Sequence, residues 1–288
     1  MKSMSEKARG TLFMVCAVVI LSPDALLISV VSVDPWTLVF WRGLLTSCTL
    51  TAALLFAHGR KALQAGLSVG PAGIVSGIFF GASTISFVMS VRLTTAANTL
   101  VLIAAMPLFA ALFTRIFLSE KVPRRTWLAV VAGFVGIAVL FSGSIAAGHI
   151  LGDVLALFTA ALMAANFIII RSHRKVSMVP AVVLSGMMTT LVTAFISDPL
   201  SPGTSDILLL SVMGSIVLPV PLALMTVAPK LIPAAEVSLI MLLETFLGPF
   251  WVWMAVGERP APETFLGGGI LVVTLVVHAL AGWRENGI

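Results

Sequence analysis

Long apolar runs, cut by short clusters of charge, Pro and Gly, dominate the chain. Ten such runs read as spans, at residues 11–33, 36–57, 69–91, 95–117, 125–142, 150–170, 178–197, 206–228, 233–254 and 263–281. Each is close to the ~20 mostly apolar residues that a helix needs to cross a bilayer. The alternating ten-residue pieces of a membrane β-barrel are absent. Helices are then the only spanning option, because backbone N–H and C=O groups in hydrocarbon must be satisfied within the segment. The pattern predicts an all-α polytopic membrane protein of ten transmembrane helices, with connections too short for a soluble domain.

Composition sharpens this. Of 288 residues, 59% are apolar and 10% charged, against about 45–50% and about 25% in soluble domains. Mean hydropathy is +1.12. A soluble enzyme, a disordered chain and a nucleic-acid-binding module are excluded. The net charge of +5 reflects Lys and Arg gathered on cytoplasmic loops. With the N-terminus in the cytoplasm, fourteen of the seventeen Lys and Arg fall on that side, Arg92 and Arg259 on the other, and Arg42 inside a span. The outer side carries Asp34, Asp198, Asp206, Glu258 and Glu263. The expected orientation is N-in, C-in. The first run follows Lys2, Lys7 and Arg9 but lacks a small-x-small cleavage site, so it reads as a retained helix.

Catalytic and metal chemistry find no support. Cys16 and Cys48 lie in apolar segments, and His58, His149, His173 and His278 are far apart without metal-ligand spacing. No G-x-x-x-x-G-K-S/T motif offers ATP. No catalytic residue, metal or cofactor is expected. The expected partners are the lipid bilayer and a small-molecule substrate, without nucleic acid, for a monomer or weak dimer.

A displacement of 138 residues aligns 94–128 with 232–266 without a gap: Ala96-Ala97 meets Ala234-Ala235, Glu120-Lys121 meets Glu258-Arg259, and Thr126-Trp127-Leu128 meets Thr264-Phe265-Leu266. The repeat unit is five helices. Five is odd, so the second copy starts from the opposite side, and the halves are related by an axis in the membrane plane. Inverted repeats recur in transporters, with the site near the midplane between the halves.

Thr95-Ala96-Ala97-Asn98, Met106-Pro107 and the Leu118-Ser119-Glu120-Lys121 turn, followed by Gly133 and Gly136, resemble the EamA family of the drug/metabolite transporter superfamily. The second copy keeps Ala234-Ala235 and Glu258-Arg259, while Pro249 sits later than Pro107 and Glu244 replaces Met106. The resemblance implies EamA repeats at 1–146 and 147–288. It also implies alternating-access transport of small metabolites, including amino acids, and a central cavity lined by helices 1–4 and 6–9. The expected function is amino-acid or related metabolite export across a bacterial inner membrane. Alternatives are multidrug efflux and, more remotely, a membrane-embedded enzyme, a channel or a scaffold. A nucleotide sugar would want several cavity cations, and only Arg42 is available.

Ionisable groups inside a span cost about 2.5–3.5 kcal/mol each on insertion scales, so the few present are informative. Asp24 and Arg42 lie about 13 Å and about 9 Å below the outer ends of their helices at 1.5 Å per residue, close enough in depth for an ion pair. That pair either bolts helix 1 to helix 2 or lines the cavity and receives a zwitterion. Glu244, at mid-helix, is a candidate proton carrier or substrate ligand. Glu236 is a helix-start acid. Phe79, Ser83, Asn98 and Asn166 are further cavity candidates, and Gly73, Gly77 and Gly81 form a close-packing stripe. Pro23, Pro107, Pro219, Pro221 and Pro249 each remove a backbone hydrogen bond and are hinge candidates. Trp36, Trp127 and Trp283 read as interfacial anchors.

Overall fold

Helices start where the chain supplies acceptors for the first free N–H groups. A computed structural model describes residues 5–59, 70–117, 124–173, 177–232 and 234–285. Helix α1 (Glu6–Leu21) is capped by the Ser5 hydroxyl, which accepts from Ala8 N–H at 3.2 Å. Asp34 caps α3 (Pro35–His58) through the N–H groups of Trp36 and Thr37, at 2.8 and 3.2 Å, and Pro35 takes the first turn, where no donor is needed. Thr95 caps α5 (Ala96–Ile103) through Asn98 N–H at 3.1 Å.

The remaining helices are α2 (Asp24–Val30), α4 (Gly70–Leu93), α6 (Met106–Phe117), α7 (Arg124–Ala147), α8 (Ile150–Ser172), α9 (Val179–Thr193), α10 (Thr204–Val212), α11 (Pro219–Leu231), α12 (Ala234–Val256) and α13 (Pro262–Glu285). A π-helical turn, Met213–Val217, joins α10 to α11. No strand occurs among the described residues. Every one of the ten expected apolar runs is helical. Seven helical segments are long and apolar enough to cross a membrane, and shorter apolar helices at Val179–Thr193, Ile240–Val256 and Pro262–His278 occupy the other three runs. The Glu120-Lys121 turn and the side chains of Glu236 and Trp283 lie outside the described residues.

Proline explains three interruptions. Pro23 has no N–H for the Val19 carbonyl, and the Ser22 hydroxyl donates to it instead at 2.9 Å, at the junction of α1 and α2. Pro107 cannot bond the Ile103 carbonyl, and the Leu108 N–H turns to Ala105 at 2.9 Å, so α5 gives way to α6. Ahead of Pro219 and Pro221, Leu218 N–H reaches back five residues to Met213 at 3.0 Å, closing the π turn. Pro249, by contrast, sits inside the unbroken α12.

Packing relies on small residues. Helix α4 packs on α8 and α9, α3 on α9, α7 on α13, and α1 on α11 and α12. A Cβ on Gly43 would meet the Gly186 carbonyl at 2.7 Å, and one on Gly186 would meet the Gly43 carbonyl at the same distance. Gly136 and Gly267 meet reciprocally in the same way. From the expected glycine stripe, Gly77 and Gly81 face Leu184 and Ser185 of α9. Bulky side chains such as Phe56, Leu128, Phe195 and Phe265 point outward, as lipid-facing positions do. Without a hydrophobic drive between helices in lipid, such close backbone contact supplies the association energy.

Gly186→Ala is expected to lower stability by about 1–3 kcal/mol, because the α3–α9 contact cannot admit a methyl. Gly269, where an added methyl would meet nothing within 4 Å, is the control. Thermal unfolding in detergent should separate Gly186→Ala from an unchanged Gly269→Ala.

Candidate functional site

Two helix interruptions and one acidic helix meet between the sequence halves. Asp24 is the first residue of α2, directly after Pro23. There it faces Arg42 of α3 in a bidentate pair: Nη1 donates to Oδ1 at 2.6 Å and Nη2 to Oδ2 at 2.9 Å. The two residues are 3% and 2% exposed. Nη1 also donates to the Met213 sulfur at 3.0 Å, and Thr46 Oγ1 donates to the Gly214 carbonyl at 3.2 Å. The pair thus ties α2 and α3 to the π turn. Its charged atoms engage each other.

Glu244 lies on α12, within electrostatic reach of Asp24. Gly248, one turn away, lets α12 approach Leu100 and the Ser22 carbonyl. Trp251 Nε1 donates to Ser22 Oγ at 2.9 Å on the same seam. Glu244 is half-buried and has no hydrogen bond or ion pair with another described residue. It faces a cavity of about 40 Å³, lined on one side by Ile103, Ala104 and Pro107 and on the other by Met241 and Thr245. That space holds a few waters at roughly 10–15 Å³ each. Ile103 and Ala104, whose carbonyls lose their helical donors at the break, belong to the cavity wall. Irregular backbone at membrane depth is tolerated where it lines such a space.

A second polar network closes one end of the molecule. Asn98 Nδ2 donates to Ser144 Oγ at 3.1 Å and to Thr94 Oγ1 at 3.3 Å, with Asp153 Oδ1 at 3.5 Å, and Thr264 Oγ1 donates to Asn98 Oδ1. Glu258 Oε1 accepts from Ala96 N–H at 3.1 Å, so the turn after α12 caps α5. Asp206 accepts from Ser32 N–H at 3.1 Å, and Trp41 Nε1 donates to the Pro199 carbonyl at 3.2 Å. Arg92 donates to the Val31 carbonyl at 2.6 Å. Burial holds the Glu258 carboxyl above the usual carboxylate range, outweighing the two backbone N–H groups of Ala96 and Ala97 that lower it.

The residues singled out from sequence therefore fall in separate places. Asp24 and Arg42 pair, Glu244 faces the cavity, and Asn98 joins the end network. Asn166 accepts from Ser76 Oγ between α8 and α4. Ser83 Oγ bonds the Phe80 carbonyl of its own helix at 2.7 Å, and Phe79 is half-buried. Pro23, Pro107, Pro219 and Pro221 stand at interruptions. By sequence, Asp24, Arg42 and Glu244 are the deep charges, and Asp153 must be added to them. This residue is 0% exposed, and its Oδ2 has no hydrogen-bond partner among the described residues. Its place in the first turn of α8 gives it the look of a solvated helix-start acid. The Glu258 cap is equally hidden, although Ala96-Ala97 and Glu258 both belong to the repeat. A 162-residue separation carries no local signal.

Asp24→Asn or Arg42→Met alone is expected to cost about 3–5 kcal/mol, since each strands a buried charge. The double variant Asp24→Leu/Arg42→Met should recover most of that loss. Denaturation of the three purified variants in detergent checks it; equal losses in singles and double would contradict the pairing argument.

Comparison with known proteins places this geometry. No curated protein matches the sequence significantly. A crystal structure described only as that of a protein superposes with a TM-score of 0.68 at 18% identity, over 96% of this chain and 98% of the other. At that identity the likeness concerns the fold alone. Residues 8–142 match the EamA-like transporter family. This match covers the helices that form the ion pair and the broken wall of the cavity; over those residues the chain is similar to that family, which is part of the drug/metabolite transporter superfamily.

Proposed function

We propose that the protein is a secondary transporter that exports small metabolites, amino acids among them, across a bacterial inner membrane by alternating access. The observation that carries this reading is the cavity at the seam. It lies between α5–α6 of residues 1–146 and α12 of residues 147–288, against a broken helix and a carboxyl that has no ion pair among the described residues. Broken helices with freed carbonyls at such a seam are the recurrent substrate site of inverted-repeat carriers.

Helix packing supports two inverted five-helix halves. Exchanging the halves converts the α4–α8 contact into the α11–α1 contact, and maps α3–α9 and α7–α13 onto themselves. The reciprocal glycine pairs, Gly43 with Gly186 and Gly136 with Gly267, fall on those self-mapped contacts. In the N-in, C-in orientation the end network is the outer seal. Its bonds from Glu258, Thr264, Asp206 and Pro199 all join one half to the other, so an outward-open state requires breaking them.

Counterflow in proteoliposomes tests the carrier reading. Vesicles preloaded with unlabelled neutral amino acids or related amines should accumulate the labelled solute transiently and saturably. Linear, non-saturable flux would mean a channel, and no flux with any solute would sink transport altogether.

The outer seal gives a pH dependence. The Glu258 carboxyl sits above its ordinary range when sealed and near that range once solvated in an open state. The sealed state then binds the proton more strongly, so acid favours sealing. That contribution is lost as pH rises through the elevated value. A cysteine at buried Val33, with Cys16 and Cys48 replaced by Ser, should label more slowly from outside at low pH. The comparison is with the same protein carrying Glu258→Gln, which shares the thiol chemistry. Identical pH profiles in the two would refute the role of Glu258.

A further inference from the structure

The cavity is chemically one-sided, and we infer that it selects a protonated amine on an apolar body and gives no counterpart to a carboxylate. The inference rests on the carrier reading above and narrows its substrates to amines, setting aside the amino acids named there. The polar side chains among the lining residues are Glu244 and Thr245, and Ile103 and Ala104, whose carbonyls are released by Pro107, belong to the same wall. No Lys, Arg, His, Asn or Gln lines it among the described residues. The rest of the wall is aliphatic and thioether, including Leu100, Leu242, Met106 and Met241. Thioether chains adapt to varied apolar shapes.

The distribution of charge points the same way. Arg42 is the deep cation of the sequence, and both of its terminal nitrogens bind Asp24. Its Nε is enclosed and has no hydrogen-bond partner among the described residues, so it presents no donor to a solute. The Asp24–Arg42 pair is neutral as a unit, which leaves Glu244 as an acid without a protein cation among the described residues. A buried charge without a partner is costly, and a counter-ion supplied by the ligand removes that cost. An ammonium has three donors and no acceptor, which matches a carboxylate flanked by free carbonyls. The carboxylate of an amino acid would meet the same acceptors and be repelled. The zwitterion-binding role open to Arg42 from sequence is therefore replaced by amine capture at Glu244.

A matched series tests this: 3-methylbutylamine, leucinamide, leucine and 4-methylpentanoate share one apolar body and differ in charged groups. Calorimetric titration into the detergent-purified protein should give binding of the amine and leucinamide. Leucine should bind at least about tenfold more weakly, as expected for a charged group left without its partner, and 4-methylpentanoate should not bind. Glu244→Gln, which keeps side-chain shape and removes an unpaired charge, should lower amine affinity by a similar factor while the unfolding temperature holds. Labelled leucinamide and leucine in the same counterflow vesicles separate the two claims. Leucine bound and exchanged as well as leucinamide overturns the amine selectivity and leaves the carrier intact. Counterflow of neither overturns both. Because the ligand comparison uses the native protein, it decides the inference even if the variant fails to fold.

Discussion

Every backbone donor and acceptor in hydrocarbon must find a partner, and the architecture follows from how this chain meets or evades that demand. Helices satisfy it along most of each apolar run. Proline defeats it locally at three places, and each is repaired differently. At Pro23 the Ser22 hydroxyl takes over the orphaned Val19 carbonyl. Before Pro219 the ladder slips to a π turn. At Pro107 the freed carbonyls belong to residues that line a cavity, and Glu244 lines the same cavity.

The deep charges obey the same desolvation constraint. Asp24 and Arg42 neutralise one another with matched bidentate geometry, and in doing so they fasten the start of α2 to α3 and to the π turn. This makes them a structural clamp around the site. Glu244 has no such partner among the described residues. Two acidic side chains thus lie within electrostatic reach of each other, one paired and one without a cation among the described residues.

At the opposite extreme of depth, polar groups are used to join halves rather than to bind. Glu258 caps α5, Thr264 completes Asn98, and Asp206 holds Ser32. Each bond is modest alone, with a net worth of about 0.5–1.5 kcal/mol between neutral groups and about 1.5–3 kcal/mol where a carboxylate accepts. The close glycine contacts, by contrast, are backbone-to-backbone and unforgiving of added volume.

The amino-acid pattern by itself determined the membrane-helical class, the ten apolar runs, the helix interruptions beside four of the five candidate prolines, and the depth match of Asp24 with Arg42. These follow from composition, local periodicity and the 1.5 Å rise of a helix, all of which act over short stretches of chain. Tertiary structure decided what each polar group does. It alone enclosed Asp153, brought Glu258 onto Ala96 across the chain, committed Arg42 to Asp24 and set Glu244 in the wall of the cavity beside the Pro107 break. Those outcomes depend on which helices become neighbours, and hydrogen-bond partners more than a hundred residues apart leave no trace in local pattern.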